Sequence, residues 1–70
     1  MRYVADAYPI IQDYQYRQKI EVLGSMKRWC IDRLGPNGSG WYYTNEITQW
    51  NKFAFDDEGD FLAFRIRFGL

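Results

Sequence analysis

Tyr14-Gln15-Tyr16-Arg17-Gln18-Lys19-Ile20-Glu21-Val22-Leu23-Gly24-Ser25 decides how the rest of the chain is read. Tyr16, Gln18, Ile20 and Val22 would share one side of an extended segment, with Arg17, Lys19 and Glu21 on the other. A period of two with a charged outer face predicts a half-buried antiparallel strand over residues 14–23. Gly24 and Ser25 break the alternation, and Ser25 is a good N-cap. Beyond it Met26, Trp29, Cys30, Arg33 and Leu34 recur at helical spacing, while Lys27, Arg28 and Asp32 fall toward solvent. Gly35 suits the position just past a helix end, and Pro36 forbids continuation. The expectation is a strand followed by one main helix over residues 25–34.

Upstream, residues 1–13 lack a clear period. Tyr8 precedes Pro9 and is biased toward extended backbone, and Ile10 and Ile11 follow. These residues are read as an N-terminal arm that packs on the domain or reaches a neighbouring subunit. Downstream, Pro36 to Gly40 is a turn cluster centred on Asn37-Gly38. Trp41 to Thr44 has strong strand propensity, and Ile47 to Phe55 alternates. Phe53 and Phe55 would face one side there, with Trp50, Lys52 and Ala54 opposite, and Asn45-Glu46 would form the connecting turn.

Asp56-Asp57-Glu58-Gly59-Asp60 admits two continuations. Asp57 can cap a short helix to about Phe64, with the last residues extended, and this is preferred. The alternative is a hairpin turn into a strand over residues 64–68. The resulting fold class is α+β: a small antiparallel sheet of three or four strands, the main helix packed on it, and a short C-terminal helix or strand. One domain covers residues 1–70, its compact part being residues 14–70.

Composition narrows function more than motif does. The 70 residues include three Trp, six Tyr and five Phe, no His and one Cys, with nine basic residues against nine acidic. A neutral chain has no global attraction to nucleic acid or anionic lipid. No apolar run approaches the roughly 18 residues of a membrane span. Asp6 interrupts any leader-like apolar stretch, so the expected setting is cytoplasmic. Cys30 has no His to serve as its base and is read as a small core residue beside Trp29. The acids of residues 56–60 lack calcium-loop spacing, so no metal, cofactor or small-molecule substrate is expected. The chain is not expected to be an enzyme.

The second half resembles a pattern found in small accessory proteins of tailed myophages, including cyanophages. It is carried by Trp29-Cys30, Leu34-Gly35, Trp41, Phe53-Ala54-Phe55, Asp60 and Phe64-Arg65-Ile66-Arg67-Phe68-Gly69, within residues 16–69. Phe61 departs from it, standing where a small residue would follow Asp60. The resemblance implies a phage-encoded accessory protein of small α+β fold, acting in the infected bacterial cell, and it supplies no catalytic residues.

So small a domain cannot bury all its rings. Trp29, Trp41, Phe53, Phe55 and Phe64 are assigned to the core. Tyr42, Tyr43 and Trp50 are placed opposite the core residues, and Tyr8 and Tyr14 lie in or beside the arm. These five are the candidate partner-binding residues, since exposed Tyr and Trp commonly carry interface energy. The function expected is binding and inhibition of a host or viral protein by covering its surface. A self-associating or virion-associated structural protein is the alternative. A third reading is single-stranded nucleic-acid binding, with Arg65 and Arg67 on a strand framed by Phe64 and Phe68.

Overall fold

The computed structural model describes residues 2–43 and 51–70. Six elements are formed there: β1 (Tyr3–Asp6), α1 (Tyr8–Ile11), α2 (Tyr16–Leu34), β2 (Trp41–Tyr43), β3 (Lys52–Phe55) and α3 (Glu58–Phe68). The class is α+β, and the described strands form one antiparallel sheet in the order β1-β3-β2. The predicted turn at Asn45-Glu46, the strand residues before Asn51 and the candidate Trp50 lie outside the described residues.

The expected strand over residues 14–23 is instead the first half of α2. Arg17, Gln18, Lys19 and Glu21 all favour helix, and Gln15 N–H donates to Gln18 Oε1 at 3.2 Å, one half of a capping box. Leu23, Met26 and Cys30 are buried along α2, with Val22, Trp29 and Leu34 packed beside them. The helix runs straight through Gly24, an exposed position off that stripe where an added Cβ would meet nothing within 4 Å. Ser25 is therefore no cap. It sits inside the helix with its hydroxyl donating to Glu21 O at 3.1 Å. Tyr16 and Ile20, expected on a buried strand face, are exposed at 74% and 50%.

Residues 1–13 are likewise not an arm. Tyr3–Asp6 pairs with β3 in the register Tyr3↔Phe55, Val4↔Ala54, Ala5↔Phe53 and Asp6↔Lys52. Ala5, Ala7 and Ile11 are fully inside. Pro9 causes no break because it stands in the first turn of α1, where its missing N–H is no loss.

The helix end at Gly35 is as expected. Its φ of 108° is one that side-chain-bearing residues rarely adopt, and its N–H reaches Ile31 O at 2.9 Å. Gly35 O in turn accepts from Trp41 Nε1–H at 2.8 Å, tying α2 to β2. Asp57 caps α3 as anticipated, its Oδ2 accepting from Asp60 N–H at 3.0 Å. The helix then continues to Phe68 rather than stopping near Phe64, and closes on left-handed Gly69. Glu58 and Asp60 in its first turn and Arg65 and Arg67 in its last suit the helix dipole.

The core lies between one sheet face and the two longer helices. Trp41, Phe53, Phe55 and Phe64 are buried as expected, whereas Trp29 is half-buried at the margin, edge-on to Phe64 and Phe68.

Candidate binding surface

Strand alternation gives the sheet two unlike sides. Ala5, Trp41, Phe53 and Phe55 point into the core, with Tyr3 against Phe61 at 5.7 Å. The other side carries Arg2, Val4 and Asp6 from β1 and its approach, Lys52 and Ala54 from β3, Asp56 just after it, and Tyr42 from β2. Among the described residues no helix packs on this side. The register lines up Val4, Ala54 and Tyr42 as one row across all three strands. Val4, at the free end of that row, is 54% exposed.

One end of the surface is fixed by three side chains. Tyr42 Oη–H donates to Asp56 Oδ2 at 2.7 Å. Arg2 Nε lies 3.6 Å from Asp56 Oδ1, and its guanidinium sits 3.7 Å from the centre of the Tyr42 ring. The Asp56 carboxylate holding its hydrogen raises the Tyr42 phenol above its ordinary pKa. Arg2 and Asp56 are exposed, so their ion pair alone is worth about 1 kcal/mol at most. Its effect is to hold the tyrosine in one orientation. At the other end Asp6 Oδ1 accepts from Tyr8 N–H at 2.9 Å and from Asn51 Nδ2.

The anticipated binding residues are not brought together on one patch. Tyr42 is on the bare side. Tyr43, its neighbour in the strand, must point the other way and packs against Phe53 at 5.0 Å with Lys27 Nζ 4.1 Å from its ring centre. Burial raises the Tyr43 phenol pKa. Placing both tyrosines opposite the core was therefore incompatible with alternation, and Tyr43 belongs to the packed side. Tyr8 and Tyr14 are exposed, on α1 and in the link to α2. Arg2, Val4 and Asp56 were missed, because only the β1–β3 register brings residues fifty or more positions apart onto one surface.

Arg65 and Arg67 occupy α3, where a separation of two residues sends side chains to nearly opposite sides. Their guanidiniums lie 5.4 Å from the Phe61 ring centre and 5.2 Å from that of Phe68. Phe64, just before them in the chain, is fully buried and offers no surface to a base. Arg65 also borders a groove of about 350 Å³ along β1, with Val4, Asp6, Pro9, Phe61 and Leu70.

Cys30 is buried, and burial followed by the negative charge of Asp60 pushes its thiol up to about 12. A thiol so held is a poor nucleophile. Among the described residues no cluster of His, Cys, Asp and Glu could hold a metal ion, and no helix is long and apolar enough to cross a membrane. Comparison with protein-family models, with curated proteins and with solved structures finds no match to this chain.

Proposed function

We propose that the protein is a non-catalytic binding module that docks on another protein through the bare side of its sheet. The observation carrying this reading is the row Val4–Ala54–Tyr42, an apolar strip bounded by Arg2 and Asp56 at one end and by Asp6 and Lys52 at the other. An aromatic anchor with a polar, charged rim is the arrangement on which protein interfaces concentrate their energy. Tyr42 enters such a contact already oriented by Asp56 and Arg2, which reduces the ordering cost of binding. The resemblance of residues 16–69 to phage accessory proteins supports a host or viral protein as the target, inhibited by occlusion in an infected bacterial cytoplasm.

The test is capture of a partner by the tagged protein, followed by titration of that partner with the Tyr42→Ala variant. Tyr42 is only half-buried and outside the core, so the variant keeps the wild-type circular dichroism. Affinity for the partner is expected to fall roughly 30-fold, corresponding to about 2 kcal/mol. Unchanged affinity removes this side of the sheet as the docking surface.

A further inference from the structure

The two edges of the sheet are treated differently. Ala7 N–H donates to Asn51 O at 2.9 Å, which together with the register makes Tyr3/Phe55 and Ala5/Phe53 the hydrogen-bonded pairs of β1 and β3. The main-chain N–H and C=O groups of Arg2, Val4 and Asp6 therefore point away from β3. On the opposite edge the outward groups belong to Trp41 and Tyr43, because Asp56 N–H donates to Gly40 O at 2.9 Å. Three of those four groups are occupied. Gly38 N–H donates to Trp41 O at 2.8 Å. The Asn37 carboxamide accepts from Tyr43 N–H at 3.1 Å and donates to Tyr43 O at 2.9 Å, replacing a neighbouring strand. Such plugging is how natural sheets blunt an edge against pairing. Among the described residues nothing equivalent lies along β1. The groove of about 350 Å³ runs there instead.

We propose that a second copy of this chain occupies the β1 edge, antiparallel about a two-fold axis at Val4, joining the two sheets into one of six strands. The outward groups of Arg2, Val4 and Asp6 fall into register only if Val4 faces Val4 of the second copy and Arg2 faces its Asp6. That register is self-complementary in charge. Each Arg2 would stand between its own Asp56, already 3.6 Å away, and Asp6 of the other copy. Among the described residues Asp6 is bonded through Oδ1 alone, which leaves Oδ2 to meet it. On the core side of the strand, Tyr3 would meet the small Ala5. Parallel pairing would set Arg2 beside Arg2 and Asp6 beside Asp6, and an antiparallel slip centred on Arg2 or on Asp6 would oppose like charges. Antiparallel registers centred on Tyr3 or Ala5 would pair only two of the three outward residues and match no charges. The Val4-centred register thus uses the edge most fully, in an isologous contact of the commonest kind. This inference goes beyond the docking reading, since its interface is an edge of the sheet and not its bare side.

Sedimentation equilibrium of the full chain tests it, with Val4→Lys as the variant. The wild type is expected to approach twice its 8.4 kDa mass with a dissociation constant below about 1 mM. Val4→Lys sets two ammonium groups against each other on the axis and should weaken the dimer at least about tenfold. As a second readout, the Val4 and Asp6 amides of the wild type should gain hydrogen-exchange protection as concentration rises. That measurement decides even where the variant folds poorly. A wild type that stays monomeric, a dimer indifferent to Val4→Lys, or one in which those two amides gain no protection overturns the proposal.

Discussion

Truncation of Phe64 to alanine is expected to leave about half of the population unfolded at 25 °C. Phe64 is wholly buried on α3 and has four ring neighbours: Trp29 at 5.8 Å, Phe53 at 5.0 Å, Phe55 at 5.2 Å and Phe68 at 4.9 Å. It is where α2, α3 and β3 meet, so no single element can move in to fill the gap. A buried Phe→Ala change costs about 3–5 kcal/mol, including the cavity left behind. A core in a chain this short supplies only about 3–5 kcal/mol of net stability. Loss and total are equal in size. Urea titration followed by far-ultraviolet circular dichroism measures the effect. Ile66→Ala serves as the control on the same helix, since Ile66 is 82% exposed and its loss should matter by less than about 0.5 kcal/mol. If Phe64→Ala kept a stability within about 1 kcal/mol of the wild type, the aromatic cluster would not be what closes the core.

Alkaline conditions should weaken the fold through Cys30. In the folded chain its thiol is held protonated up to about 12, against an ordinary value of 9.0 once exposed. Below pH 9.0 both states keep the proton, and the contribution of the neutral buried thiol is present in full. Between 9.0 and about 12 the unfolded chain gives up a proton that the folded chain retains, so stability falls as pH rises. The loss amounts to about 4 kcal/mol at the upper end of that window. The Tyr42 and Tyr43 phenols are raised as well and act in the same direction at higher pH. The informative comparison is therefore with Cys30→Ala, which starts less stable but should lack the thiol's share of the alkaline decline. Parallel stability-against-pH curves for the two proteins would contradict this assignment.

Local chemistry was legible wherever one segment settled its own structure. Gly35 and Pro36 ended α2, Asp57 capped α3, and the alternation Phe53-Ala54-Phe55 turned two rings inward, all as read from the chain. Residues 16–23 misled because Ile20 and Val22 satisfy period two, while Leu23, Met26 and Cys30 satisfy the helix only if the pattern is carried across Gly24. A glycine costs a helix about 1 kcal/mol, which the packed stripe on either side readily outweighs. Four residues of β1 are too few to display a period, and what makes them a strand is pairing with β3 far along the chain. The binding surface inherits both difficulties. Tyr42 could be singled out as an unburied aromatic, but which side it occupied, and that Arg2 and Asp56 would hold it there, depended on that register.

One uninterrupted α2 underlies all of this, since it packs the buried stripe of Leu23, Met26 and Cys30 on the core side and leaves the other side of the sheet bare. Gly24→Ala tests it in a single stability measurement. At an exposed interior helix position with nothing near the new methyl group, the substitution should raise stability by about 0.5–1 kcal/mol. At a turn needing a positive φ it would instead lower stability by more than about 1 kcal/mol. A destabilised Gly24→Ala protein would therefore contradict the continuous helix and the surface built on it.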